Sequence, residues 1–367
     1  MPLNEETMIL TRKVQLIINS NDKAFIGEVY KTLYRWQFIC FRSANYIFTH
    51  LFIQEQLKEL FYLKDEVKVR LADCSKNPDG ILTCSQLGTT YRVLNRHFKG
   101  DIPMNIVSSL NMTLAKHFNN EKQDYLKGEK SVRNYKRDIP IPFQRRNITR
   151  LQHIDNGREY SFNFFKIPFR TYLGRDKFDK RLLFEKLLKG QVELKNSSLQ
   201  LDKGKIYLLA AFEIQKEEHQ LDSSIIAEAH LSIDYPIIVQ IGKFRHTIGT
   251  KEEFIYRRLA IQAARSRAQK EASFNKGQHG RRRKLKPLEH FQDRERNYVQ
   301  QRLHVYSRQL IDFCVKHRAA SLILVGQAEK EAAVVGDEFV LRNWSYYSLR
   351  EKIQYKANKA GIILITE

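Results

Sequence analysis

The feature that most limits what this chain can fold into is the period of its apolar residues, which changes class along its length. Residues 8–18 (MILTRKVQLII) are rich in branched side chains in partial alternation and read as an opening strand. From Lys23 to about Tyr62 the spacing turns helical, with Phe25, Val29, Leu33, Trp36, Phe38, Ile39, Phe41 and Tyr46 spread over a broad face. Helices continue to about Gly128, broken by the turn residues Asn77-Pro78-Asp79-Gly80 and by Gly100-Asp101-Ile102-Pro103. The run Ile139-Pro140-Ile141-Pro142-Phe143 is extended by its prolines. Strand-like segments follow at Phe162 to Phe169, Val192 to Leu194, Leu199 to Leu201 and Ile206 to Ile214. The polar stretch Lys216 to Ser224 reads as a linker. Beyond it, strands at Ala229 to Asp234, Ile237 to Gly242, Ser321 to Val325 and Gly361 to Thr366 alternate with a long basic helical stretch and with helices at Asp293 to His317 and Ser345 to Lys359. No single layer architecture holds all of this. The pattern predicts an α+β multidomain chain, with a helical block inserted into a β domain and an α/β domain after it. The opening strand then finds its partners in the later meander.

Charge narrows the function. The 367 residues carry 63 Lys and Arg against 41 Asp and Glu, a formal +22, and a content of 42% hydrophobic and 11% aromatic residues excludes a disordered chain. Between Arg257 and Arg302 there are fourteen Lys and Arg against four Asp and Glu. The densest part, Gly277 to Pro287 (GQHGRRRKLKP), reads as a glycine-flanked loop in which Arg281, Arg282, Arg283, Lys284 and Lys286 invite a phosphate backbone, whose counterions would be released on binding. Arg145, Arg146 and Arg150 form a smaller basic group. On the first helix Tyr30, Tyr34, Arg35, Trp36, Arg42 and Tyr46 interleave rings with cations, a pattern suited to stacking on bases. No apolar run reaches the length of a membrane span, and Met1 to Arg12 lacks a signal-peptide layout, so a cytosolic protein is expected. Cys40, Cys74, Cys84 and Cys314 show no CxxC spacing and are expected as reduced thiols, with no zinc site. His279, His290, His304 and His317 lack any ligand spacing, and there is no Gly-rich phosphate loop.

Several motifs of the last third occur in a telling order: Ile233-Asp234 after an apolar strand, the basic run HGRRRKLKP, Phe313-Cys314-Val315-Lys316-His317 closing a helix, the strand Leu322-Ile323-Leu324-Val325, and Trp344 to Ile362 with its YKANKAGI. Together they resemble the RuvC-type nuclease domain of TnpB proteins and, more closely, of the miniature type V subtype F CRISPR effectors. The resemblance covers nearly the whole chain. It implies a β-barrel (OB-like) wedge domain, opened by residues 1–20 and completed by 135–218, with a helical recognition lobe at 21–134 inserted into it. A linker at 219–224 then leads to an RNase H-like α/β RuvC-type domain at 225–367, truncated before the zinc ribbon.

In that family three carboxylates hold two divalent cations that activate water and stabilise the leaving oxygen. Here only Asp234 matches, as a vestigial first carboxylate. The glycines that flank it in the family are replaced by Ser232 and Pro236, Val325 stands where the Glu is expected, and the sequence reaches Glu367 without the paired cysteines and last Asp. Loop acids Glu329, Glu331, Asp337 and Glu338 offer the one route to a rearranged site. The expectation is a pseudo-nuclease with no magnesium or zinc site, no catalytic residue and no membrane association, located in the cytoplasm on the bacterial nucleoid. By resemblance its partners are a guide RNA and target double-stranded DNA. They would be held by Arg257, Arg258, Arg265, Arg267, Arg281, Arg282, Arg283, Lys284 and Lys286, with Arg145, Arg146, Arg35 and Tyr46. Occupancy without cleavage implies control of transcription, by blocking a promoter or by recruiting a sigma factor and RNA polymerase, and the family's habit of placing two copies on one guide implies a homodimer. The competing readings are an active divalent-metal RNA-guided nuclease with a rearranged site, a transposon-derived remnant without a guide, and a general single-strand binder.

Overall fold

The computed structural model describes residues 7–60, 85–154, 159–174, 179–232, 234–274, 278–326 and 345–367. Its contacts divide the chain into two compact units, Ile9–Ile214 and one built on Gln215–Glu367. The turn at Asn77 to Gly80, Cys74 and Cys84 lie outside the described residues. Among the described residues no helix is long and apolar enough to cross a membrane.

In the first unit eight strands form one sheet: β1 (Thr7–Ile18), β2 (Ile141–Phe143), β3 (Ile148–Ile154), β4 (Glu159–Phe164), β5 (Ile167–Tyr172), β6 (Glu193–Leu194), β7 (Ser197–Asp202) and β8 (Lys205–Gln215). Their order is β2-β7-β8-β1-β5-β4-β3, with β6 added beside β8. The opening strand finds the predicted partners. It runs antiparallel to β5, with Gln15 opposite Tyr172, and buries Met8, Leu10, Val14, Leu16 and Ile18 along its length.

The predicted closed barrel does not form: β2 and β3 end the ladder path, and no pairing joins them among the described residues. Yet the sheet cannot be flat. Seven strands at about 4.8 Å spacing would span about 29 Å, whereas the five residue steps from Phe143 to Ile148 reach at most about 18 Å. The sheet therefore curls. Its two edges are held short of pairing because the connection is a 3-10 turn, Arg145–Asn147, in which the Asn147 side-chain Oδ1 accepts the Gln144 N–H at 3.0 Å. Phe143 packs instead on Phe164, with ring centroids 4.9 Å apart.

The strand expected over Phe162 to Phe169 is a hairpin. Phe165 and Lys166 adopt φ of 45° and 70°, a left-handed pair that closes a two-residue turn without Gly or Asn, so the usual turn signal is absent from the sequence.

Helices α1 (Lys23–Leu60), α2 (Gln86–Phe98) and α3 (Met104–Leu126) form the inserted block, and α4 (Asp179–Leu188) lies between β5 and β6. Phe48 on α1 meets Phe118 on α3 edge-on at 5.7 Å. A buried carboxylate joins all three helices of the block, since Glu55 accepts Lys58 Nζ at 3.1 Å, Lys122 Nζ at 2.6 Å and Gln86 Nε2 at 2.8 Å. Trp36, read as a candidate stacking ring, is core instead. It lies edge-on to Phe164 and Phe165 and ties α1 to the sheet.

The second unit has a mixed sheet of β9 (Asp222–His230), β10 (Ile237–Ile241), β11 (Phe244–Ile248), β12 (Ala319–Leu324) and β13 (Ile363–Thr366), in the order β11-β10-β9-β12-β13. The first three are antiparallel neighbours, and β12 and β13 run parallel to β9. β9 begins inside the segment read as a linker and ends at His230, before Asp234. A π-helical turn (Glu252–Tyr256) leads into α5 (Arg257–Ser273); α6 (Gln278–Lys316) and α7 (Tyr346–Lys359) complete the unit.

The basic run expected as a loop is helical backbone from Gln278, a correction with a cooperative cause. Val299, Leu303, Tyr306 and Leu310 fix α6 against the sheet, and a helix already nucleated extends at one hydrogen bond per residue. Pro287 removes one donor from it without ending it. The small side chains Ala227 and Ala229 on β9 are fully buried in this core. Cys40 and Cys314 are buried as free thiols, and burial pushes each up to about 12.

Gly249 is the tightest backbone position in this unit. Its φ is +76°, and an added Cβ would lie 2.8 Å from the Tyr306 ring. Gly242 has a φ of +56° and open space around it. Gly249→Ala should therefore lower the unfolding free energy by about 2–4 kcal/mol and Gly242→Ala by about 1 kcal/mol. Urea titration of the two variants checks the ranking, and equal losses would show that the Tyr306 contact is yielding.

Candidate nucleic-acid interface

In the first unit the exposed face of α1 carries a continuous stripe. Lys31, Tyr34, Arg35, Phe38, Arg42 and Tyr46 are all exposed at helical spacing, while Leu33, Trp36, Ile39 and Cys40 on the opposite side are buried. Tyr34, Phe38 and Tyr46 are 46%, 44% and 39% exposed. From Tyr34 to Tyr46 the stripe is about 18 Å long, close to five stacked nucleotides.

Its cations are placed by weak, exchangeable contacts. Arg42 lies over the Phe98 ring at 5.9 Å and Arg137 over Phe38 at 5.8 Å. Arg35 pairs with Asp101, both largely exposed. An exposed pair contributes only about 0–1 kcal/mol, so a phosphate can replace Asp101. Tyr46 lies between the rings of His50 and His97, at 5.7 and 6.1 Å. Tyr30 stacks on Tyr34, and its hydroxyl donates to the Gly204 carbonyl at 3.1 Å, which anchors the start of the stripe to the β7–β8 turn. Phe38 is the exposed ring of this stripe that the sequence reading left out of its ring-and-cation pattern. Its spacing of four from both Tyr34 and Arg42 was the available signal.

The second basic group of this unit is the 3-10 turn. Buried Asn147 shapes it, and Arg145, Arg146 and Arg150 are exposed around it, Arg145 within 3.5 Å of Glu193.

In the second unit the predicted cations separate into classes. Arg257 and Arg267 are exposed, and Arg265 is half-buried. Arg258 is a structural group and is withdrawn from the interface. Its guanidinium bonds Glu295 at 2.8 Å with only 15% of its side chain exposed, and it reaches Ser345 Oγ at 3.3 Å. The side chains of Arg281, Arg282, Arg283, Lys284 and Lys286 lie outside the described residues.

A groove of about 1410 Å³ runs between the π-helical turn and α6, lined by Arg257, Arg294, Arg302, His290 and Tyr298, with Glu252, Glu253 and Asp293. The π turn brings Glu253 to α6, where it pairs with Arg302 and accepts the Tyr306 hydroxyl at 3.1 Å. Burial and this carboxylate push the Tyr306 phenol upward, so it stays a donor.

Asp234 sits past the C-terminal end of β9, in a turn where Ser232 Oγ accepts the Tyr235 N–H at 3.1 Å. Its carboxylate is 69% exposed and pairs with Lys251 Nζ at 2.9 Å, while its carbonyl accepts the Lys251 N–H at 2.9 Å. On the adjacent strand end the Val325 N–H donates to the Ala229 carbonyl at 3.1 Å, so the position aligned beside β9 presents an isopropyl group. Glu329, Glu331, Asp337 and Glu338 lie outside the described residues. Among the described residues no three His, Cys, Asp or Glu side chains are grouped to hold a metal ion. Among the described residues, a carboxylate bound to an ammonium does not make a site for two divalent cations.

No family model matches the chain. It is 28% identical over 267 residues to the CRISPR-associated endodeoxyribonuclease Cas12f1 of Sulfoacidibacillus thermotolerans, across 66% of this chain and 61% of that protein. It is 27% identical over 224 residues to the Cas12f1 of Syntrophomonas palmitatica, across 57% of this chain and 44% of that one. The chain is a homologue of Cas12f1 proteins. It spans less than two thirds of the length of these curated relatives. A solved structure described as a Cas12f1-sgRNA-target DNA complex superposes on 98% of this chain and 89% of its own, with a TM-score of 0.64 and 15% identity, so this chain shares the Cas12f1 fold.

The two arginine classes make a direct test. Arg258→Ala leaves the half-buried Glu295 carboxylate without its cation, with Gln262 Nε2 still donating to it at 2.8 Å, and should cost about 3 kcal/mol of stability, with nucleic-acid affinity of the folded fraction unchanged. Arg42→Ala should leave melting unchanged, weaken binding to any sequence and reduce the slope of log K against log salt by about one. Thermal melts and salt-dependent anisotropy separate the two, and a reversed pattern would exchange their roles.

Proposed function

We propose that this chain is an RNA-guided DNA-binding protein that occupies matched DNA without cutting it. The observation that carries the reading is the contrast between two regions. The exposed aromatic and cationic stripe of α1 is suited to bases and phosphates. Where the resemblance expects a nuclease site, Asp234 is bound to Lys251, and Val325 ends β12 in the position expected to carry Glu. Homology to Cas12f1 endodeoxyribonucleases supports the nucleic-acid partners, and the similar structure described with sgRNA and target DNA supports a guide RNA paired to one DNA strand. Under this reading base pairing reads the sequence, and protein contacts to backbone tip a nearly balanced exchange of DNA duplex for RNA–DNA hybrid. The formal charge of +22 suits that task. The mixed five-stranded sheet, with β9 at its centre, suits the RNase H-like domain that the resemblance implies.

The biological consequence we assign is control of transcription, since occupancy without scission alters a promoter's access to polymerase. Blockade needs no further partner. Recruitment of a sigma factor would require a second protein to copurify.

The test is to purify the chain from cells and sequence the RNA bound to it, then measure its binding to a duplex that matches that RNA. One defined RNA and sequence-matched binding are expected, and Asp234→Ala should leave that binding within about twofold. RNA of random sequence, or equal affinity for unmatched duplex, would reduce the protein to a general binder. Loss of matched binding in Asp234→Ala would assign the carboxylate a task beyond its pair with Lys251.

A further inference from the structure

The second unit carries a surface that the guided reading does not use. β11 is an edge strand of the five-stranded sheet, and its residues Phe244 to Thr247 are all exposed, Phe244 by 65%. Phe244 and His246 alternate onto the face that packs toward α6. There they meet the last turns of that helix in a four-ring chain: Phe244 to His317 at 5.3 Å, His317 to Phe313 at 4.5 Å, and Phe313 to His246 at 5.5 Å with the rings 10° from parallel. Isolated exposed rings are ordinary on protein surfaces. A ladder of four, two of them histidines that give it polar edges, is not.

Two exposed lysines flank the ladder, Lys243 in the β10–β11 turn and Lys316 on α6. Of the acids near it, Asp312 pairs with Arg308 at 2.8 Å, and Asp222, which accepts the N–H and the hydroxyl of Ser224, is opposed by the charge of Arg318. Lys243 and Lys316 leave the net charge positive. This surface is also remote from Asp234: β10 runs from the Asp234 turn to the Gly242 turn, a separation of about 15 Å.

Solvent-exposed rings beside ammonium groups that no carboxylate pairs among the described residues are the chemistry of a platform for unpaired nucleotides, with bases on the rings and phosphates on the lysines. We infer that the β11 edge and the end of α6 form a second nucleic-acid site, which binds an unpaired strand through Phe244 and His317. A duplex would not use it, because its bases present no free faces. The inference goes beyond guided binding, since it requires unpaired bases but no base pairing.

The test uses the full chain carrying Phe38→Ala and Arg42→Ala, which silence the stripe on α1. Anisotropy is measured with labelled oligouridine and oligoadenine strands and with a blunt duplex of equal length. Adding Phe244→Ala should weaken single-strand binding by about fivefold to a hundredfold, the effect of losing one stacked base. Phe244→Tyr should restore it, and duplex binding and melting temperature should not move. A 4-thiouridine strand should photocrosslink to the peptide containing Phe244 or to that containing His317. Unchanged single-strand affinity, an equal loss for duplex, or crosslinks confined elsewhere would overturn the inference. Any of these could occur while a defined guide still copurifies, so its failure is distinct from failure of the guided reading.

Discussion

The parallel pairing of β9 with β12 is the constraint on which the account of the second unit depends. It sets Leu324 opposite Ala229 and carries both strands to the same end of the sheet, where Val325 caps the ladder by donating to Ala229. Asp234 lies in the turn beyond the end of β9, at the same end of the sheet as Val325. A one-residue slip would invert every side chain on the strand and take Leu322 and Leu324 out of the core, so the register is not negotiable. At the end of β12 in this register stands Val325, the position where the resemblance places a Glu.

Lys251 completes the change. In a site for divalent cations, like charges are gathered and the metal relieves their repulsion. Here the carboxylate already has a partner, held by two contacts to one residue, Asp234 carbonyl to Lys251 N–H and Asp234 carboxylate to Lys251 ammonium. The pair is exposed and contributes little to stability. It neutralises the charge that would otherwise attract a cation. Binding surfaces behave differently, because the phosphate backbone supplies most of the energy and tolerates side chains that move. This is why a stripe of exchangeable contacts such as Arg35 with Asp101 is compatible with binding.

Much of the fold was legible because long amphipathic helices and branched strands announce their period. The opening strand, α1, α3, the meander of β7 and β8, and α7 followed from it. The misses have local causes. The Phe165-Lys166 turn carries left-handed backbone on residues that do not advertise it, and β11 exposes almost every side chain and so shows no alternation. The basic run was read as a loop from Gly280 and Pro287, although packing further along α6 outweighs both.

For the candidate interface, charge count marks a segment but cannot tell exposed Arg257 from Arg258. The distinction lies in Glu295, thirty-seven residues away in the chain, and no local pattern reports it. Trp36 and Phe38 were likewise interchangeable by composition, and only the rotation of α1 against the sheet separates core from surface.

The central claim is that occupancy has been kept and scission lost. It is tested most directly by incubating the purified ribonucleoprotein with matched end-labelled duplex and excess magnesium or manganese, then resolving the strands on a denaturing gel. The account predicts a shifted complex whose DNA strands remain full length throughout the incubation. New ends at a fixed distance from the paired region, appearing with the metal and vanishing in Asp234→Ala, would contradict it.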